Sequence, residues 1–178
     1  MYQEIIEFWF SEIDKSKWFT KDPEFDQLIY ARFAGIHQQA VQCELYGWRC
    51  EALGCLAEII ILDQFSRNMY RDSAQSFAYD SLALALAQSA IAAGKDSALT
   101  VEQRSFLYMP FMHSESLAIH QVAVDLYQKL GAARNLEFEL KHQKIIEKFG
   151  RYPHRNEILG RQSTAQEIEF LNQPGSRF

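Results

Sequence analysis

The segment LDQFSRNMYR, from Leu62 to Arg71, puts a carboxylate where a core residue belongs. Asp63 follows Ile60 and Ile59 by three and four residues and Leu56 by seven, which on a helix places it on the apolar stripe. A charge there is costly unless paired, and Arg67, one turn further on, is the natural partner, with Asn68 and Arg71 adjacent. Two chemistries fit this spacing. One is a plain helix-end ion pair. The other is a pocket wall in which Asp63 orients Arg67 toward an anionic ligand, because the guanidinium fork matches carboxylate and phosphate oxygens.

The segment YMPFMHSES, from Tyr108 to Ser116, delivers His113, Ser114 and Glu115 together at a proline-disturbed helix end. Ser114 as a helix cap and Glu115 in the first turn also have ordinary helix-start roles. A metal site from His113, Glu115 and His120 is disfavoured, since positions two apart on a helix point in nearly opposite directions. Neither a metal nor a cofactor is therefore expected. The segment KFGRYPHRN, from Lys148 to Asn156, followed by LGR up to Arg161, concentrates Arg151, His154, Arg155 and Arg161 in a turn. Between Lys141 and Arg161 stand six basic and two acidic residues, more positive charge than the carbonyls of one helix end call for. His142, on the stripe of Phe138, Ile145 and Phe149, reads as a core histidine with one hydrogen bond.

The elements that must position these segments read as helices. A first helix is predicted from about Tyr2 to Glu12, with Ile5, Ile6, Trp9 and Phe10 as its stripe. Asp22 and Pro23 form a cap and first-turn proline for a long helix to about Tyr46, ended by Gly47, with Phe25, Leu28, Ile29, Phe33 and Ile36 inward. Further helices are predicted from about Cys50 to Arg67 and from Ser73 to Ala93, the latter ended by Gly94. A fifth begins at the capping box of Thr100 and Gln103 and is disturbed by Pro110. A sixth runs from Ser114 to near Gly131 and a seventh from Ala133 to Phe149. Short turns at Asn156 to Leu159 and Thr164 to Leu171 close the chain, the second with a Thr164–Glu167 capping box. Short loops predict antiparallel packing of sequential helices.

The chain has 178 residues, 48% of them apolar, enough for one core and too apolar for disorder. Residues 1–178 are read as a single all-α domain of about seven to nine helices. The net charge of −5 argues against a protein that coats nucleic acid. No apolar run reaches the ~20 residues of a membrane span, and MYQEIIEFWF lacks the basic start of a secretory signal, so a cytoplasmic location is expected. Cys43, Cys50 and Cys55, spaced seven and five apart, fit neither zinc nor redox motifs and read as free, core-filling thiols.

The three polar segments, LDQFSRNMYR followed by SFAYD, then FLYMPFMHSES, then IIEKFGRYPHRNEILGRQST, come after an N-terminal EFWF. In that order and spacing the chain resembles the bacterial domain-of-unknown-function 924 family, from about Ile5 to Leu171. The resemblance implies a tetratricopeptide-like stack of helices and implies no activity. The positions matching its motifs are Asp63, Gln64, Arg67, Asn68, Arg71, His113, Ser114, Glu115, Arg151, Pro153, His154, Arg155 and Asn156.

The leading functional expectation is one concave pocket lined by Asp63, Arg67, Asn68, Arg71, His113, Glu115, Arg151, His154 and Arg155. It would take an anionic small molecule or an acidic peptide end. A rival is a hydrolase or lyase on a phosphate or carboxylate compound, with His113 or His154 as acid or base and Glu115 as a further catalytic candidate. A third reading is an interaction module in which Trp9, Phe10, Trp18 and Phe19 form a partner or homodimer surface. The expected partners thus exclude nucleic acid and membrane.

Overall fold

The computed structural model describes residues 1–176. Helix α1 (Tyr2–Glu7) runs on into a wider π turn (Phe8–Glu12), and together they span the predicted first helix and bury Ile5, Phe8 and Trp9. Helix α2 (Pro23–Val41) starts as its sequence dictates, with the Asp22 carboxylate accepting from the Glu24 and Phe25 N–H groups. It buries Phe25, Ile29, Phe33 and His37 at i, i+4 spacing and Ala40 three residues on, whereas Leu28, expected inside, is 44% exposed. Its end is a second departure. The helix stops at Val41, Cys43 takes the left-handed conformation at φ 59°, and Gly47 lies in a 3-10 turn (Tyr46–Cys50).

The next rod is the centre of the molecule. Helix α3 (Ala52–Ile60), a π turn (Ile61–Phe65) and helix α4 (Ser66–Met69) follow without a break, and every residue from Gly54 to Ser66 is buried. A helix this apolar belongs inside, and α1, α5 (Asp80–Ala92) and α6 (Val101–Met112) pack around α3. Helix α2 covers the π turn and α4. The small side chains Ala83, Ala87 and Ala90 line the buried face of α5. A 3-10 turn (Ala74–Phe77) precedes α5, which therefore starts later than Ser73.

Helix α6 has the predicted capping box of Thr100 and Gln103, and Pro110 sits in its last turn without breaking it. Helices α7 (Leu117–Leu130) and α8 (Ala133–Phe149) end on left-handed Gly131 and Gly150. Helix α9 (Ala165–Leu171) has its Thr164–Glu167 box. Helices α6, α7 and α8 pack consecutively as expected. In the first half the pairing differs, because α3 is buried on all sides and takes α1 and α5 as neighbours.

Trp9 is fully buried, and Phe10 and Trp18 pack edge-on against Phe106 at 5.5 and 4.8 Å between ring centroids. Of the four aromatic residues expected to form a partner surface, Phe19 alone is largely exposed, at 70%. Cys55 is buried but Cys43 and Cys50 are exposed, so the core-filling expectation holds for one thiol of three. Among the described residues no helix is long and apolar enough to cross a membrane.

Candidate functional site

Asp63 lies in the π turn, whose extra residue per turn shifts the register of the buried rod where a polar group enters it. Its carboxylate is buried and surrounded by donors. Oδ1 meets His113 Nδ1 at 2.7 Å and Arg67 Nη1 at 3.1 Å, and Gln64 Nε2 donates to Oδ2 at 2.6 Å. Burial opposes ionisation, but Arg67, His113 and these hydrogen bonds outweigh it and hold the carboxyl well below its usual range.

Arg67 connects two acids. Nη1 donates to the Asp63 carbonyl oxygen at 2.8 Å, and its two terminal nitrogens grip Asp80 at 2.9 and 3.0 Å. Asp80, at the first position of α5, also accepts from Arg155 Nη1 at 3.1 Å. Arg155 Nη2 donates to the His113 carbonyl oxygen at 3.0 Å, and the guanidinium lies over Phe77 and Tyr152 at 4.5 and 4.6 Å. Among the described residues Arg155 Nε is buried without a hydrogen-bond partner, and burial lowers the pKa of this side chain.

Four chain segments thus meet: the π turn with α4, the start of α5, the end of α6 and the 3-10 turn (Pro153–Arg155). Asp63, Arg67, His113 and Arg155 come together there, linked by Asp80.

The other expected residues are placed differently. Asn68 Nδ2 and the Arg71 guanidinium bond Asp26 on α2 at 2.6 to 2.8 Å. Glu115 accepts from Arg161 at 2.7 and 3.0 Å and from the Tyr152 N–H at 2.7 Å, which braces the turn that presents Arg155. Arg151 forks onto Glu167 at 2.7 and 2.8 Å and so pins α9. Burial pushes His154 down to about 3, so it is neutral at ordinary pH. The Ser114 hydroxyl accepts from the Ser116 N–H, and Ser116, rather than Ser114, occupies the cap of α7. His120 faces α8, where Nδ1 meets the buried Glu139 at 2.7 Å. His142 is buried with Nδ1 on the Phe138 carbonyl oxygen, as its position predicts. Among the described residues no three His, Cys, Asp or Glu side chains are grouped to hold a metal.

The Arg151–Glu167 pair makes a pH prediction. The Arg151 hydrogen bond holds Glu167 down to about 2 in the folded protein, against 4.5 for a free glutamate. A depressed carboxylate stabilises the fold above its unfolded pKa, and that stability is lost as pH falls toward the folded value. Glu167→Gln is therefore less stable than the unaltered protein at pH 6, and the gap narrows by pH 3, as urea denaturation at the two pH values will show. An equal gap at both would place the stabilisation elsewhere.

A profile described as "Bacterial protein of unknown function (DUF924)" matches residues 5–175. The chain belongs to this family. A solved structure, "Structure of Protein of Unknown Function ATU0120 from Agrobacterium tumefaciens", is 42% identical, with 96% of each chain covered and a TM-score of 0.91. No curated protein matches the chain. The all-α fold of this DUF924 chain is thereby shown. Asp80, Tyr152, Phe77 and Asp26 were not among the expected site residues, and Arg161 was read only as part of the basic cluster. Phe77 and Asp80 carried a signal as members of SFAYD, and Tyr152 and Arg161 as members of IIEKFGRYPHRNEILGRQST.

Proposed function

We propose that this DUF924 protein binds a small anionic compound at the Asp63–Arg67–Asp80–His113–Arg155 centre, through a carboxylate or phosphate group. The observation that carries the reading is that two guanidinium groups share one carboxylate, Asp80, while Arg155 keeps an unused Nε–H donor. An arriving anion offers that donor a partner and relieves the sharing, and a guanidinium fork fits its oxygens in pairs. Phe77 and Tyr152 supply flat ring faces beside Arg155. The free carboxylate of an acidic peptide end has the same chemistry.

The test is thermal unfolding with succinate, inorganic phosphate or a triglutamate peptide. An anion present at about 100 times its dissociation constant stabilises the native state by about 2.7 kcal/mol. At least one of the three should raise the midpoint, and Arg155→Ala and Arg67→Ala should each abolish the rise. A response to the peptide alone would identify a peptide end. Equal midpoints with and without all three anions, or a rise that survives both substitutions, would refute binding at this centre.

A further inference from the structure

His113 is held in a way that anion binding does not require. Its Nδ1 faces a carboxylate that stays ionised, so this nitrogen carries the proton and the lone pair of the neutral ring belongs to Nε2. Among the described residues Nε2 makes no hydrogen bond, and the side chain is 16% exposed. A buried carboxylate behind an imidazole whose far nitrogen is unengaged is the arrangement that fixes the tautomer of a general base and steadies the imidazolium it becomes.

The charged and titratable groups around the ring come from every side. Asp63 lies on the π turn, Arg67 on α4, Asp80 on α5, Arg155 on the 3-10 turn beyond α8 and His142 on α8. Burial, then Arg67, push His113 below the usual imidazole value, against the pull of Asp63, so the ring is neutral and ready to accept a proton at pH 7. A neutral imidazole suits concerted proton removal from water that is attacking an acyl carbon. Among the described residues the adjoining Ser114 hydroxyl accepts from the Ser116 N–H, and Cys50 and Cys55 sit at the opposite end of the central rod.

We propose that His113 Nε2 activates water for hydrolysis of a small anionic ester whose charged group rests on Arg155. Water oxygen bonds to the acyl carbon as Nε2 takes one of its protons, and the carbonyl electrons move to oxygen. When the tetrahedral species collapses, the bond to the leaving oxygen breaks, and Nε2–H returns the proton to it. Ester and water give acid and alcohol, with no redox change. His113 is the catalytic residue and Asp63 a positioning residue acting through it. The anionic preference rests on the binding reading above; the base does not.

The probes are 4-acetoxy-3-nitrobenzoate and 2-nitrophenyl acetate, the same aryl ester with and without a carboxylate. The unaltered protein should hydrolyse the first with a kcat/KM at least ~10-fold above the second. General base catalysis contributes ~10²–10⁴-fold, so His113→Gln should lower both rates by at least ~30-fold. Asp63→Asn should lower kcat and move the midpoint of the pH–rate profile downward, because Asp63 raises the affinity of the ring for its proton. If that variant fails to fold, the profile of the unaltered protein decides, with an inflection below 6.5 expected and a flat profile overturning the proposal. Hydrolysis no faster than in buffer, or undiminished in His113→Gln, overturns the base even if anions bind. Equal rates on both esters that vanish in His113→Gln uphold the base and refute the anion reading instead.

Discussion

Asp80→Ala is expected to destabilise the protein by about 3–5 kcal/mol, the usual cost of removing one partner from a buried ion pair. Among the described residues Asp80 is the one acid shared by Arg67 and Arg155, whose side chains are only 19% and 7% exposed. Taking it away leaves two buried cations, with Asp63 able to answer Arg67 alone. Asp80→Asn keeps the shape and one acceptor oxygen but not the charge, so its loss should be smaller. Urea denaturation at pH 7 measures both. The same variant links stability to the proposed binding, because the donors freed from Asp80 await an anion. Inorganic phosphate should therefore stabilise Asp80→Ala more than the unaltered protein. A loss below about 1 kcal/mol would show that water, rather than Asp80, solvates the two guanidinium groups.

Much of the fold was legible because helix ends are written in local chemistry. Asp22 with Pro23, Thr100 with Gln103 and Thr164 with Glu167 each announce a start within four residues, and the structure has all three. The end of α2 was not legible. Gly47 is the residue best able to adopt a positive φ nearby, yet Cys43 adopts it, because Leu45 is buried and the chain must turn before it. The π turns were hidden for another reason: a single extra residue leaves no mark among the adjoining apolar residues Phe8, Trp9 and Phe10, or Ile59 to Leu62.

The site was half legible on similar grounds. Asp63 and Arg67 stand one turn apart, so their contact is local and could be read. Arg71 stands one turn after Arg67 and should share its face, but α4 ends at Met69 and Tyr70 leaves the helix at φ −120°, ψ 30°, which swings Arg71 toward Asp26. Asn68, a single residue after Arg67, points about 100° away from it and reaches the same acid. Asp80 fell seven residues inside the helix predicted from Ser73, and the structure makes it the first residue of α5. Glu115 and Arg161 are 46 residues apart, and no local pattern ties one to the other.

Gly54→Ala sets propensity against packing most directly. Alanine in place of glycine inside a helix ordinarily stabilises by up to about 1 kcal/mol, and nothing in the sequence exempts this position on α3. In the structure a Cβ on Gly54 would lie 2.0 Å from the Trp48 carbonyl oxygen and 2.8 Å from its carbon. Both are backbone atoms of the 3-10 turn (Tyr46–Cys50), so no side chain can rotate to make room. Nor can the turn withdraw freely. The same Trp48 oxygen accepts from the Glu51 N–H at 3.1 Å, and Lys95 Nζ holds the Arg49 and Cys50 carbonyls at 2.5 and 2.7 Å. Arg49 itself forks onto fully buried Glu58 at 2.7 Å through both nitrogens, so moving the turn pulls the counter-charge from a buried carboxylate. The expected result is a loss of about 3 kcal/mol or more, within the range for overpacking that also strains a buried ion pair. For a chain of this size each kcal/mol lowers the unfolding midpoint by roughly 2–4 °C, so a fall of roughly 6–12 °C should be seen by circular dichroism. An unchanged or raised midpoint would mean that the turn yields without cost and that helix propensity governs the position.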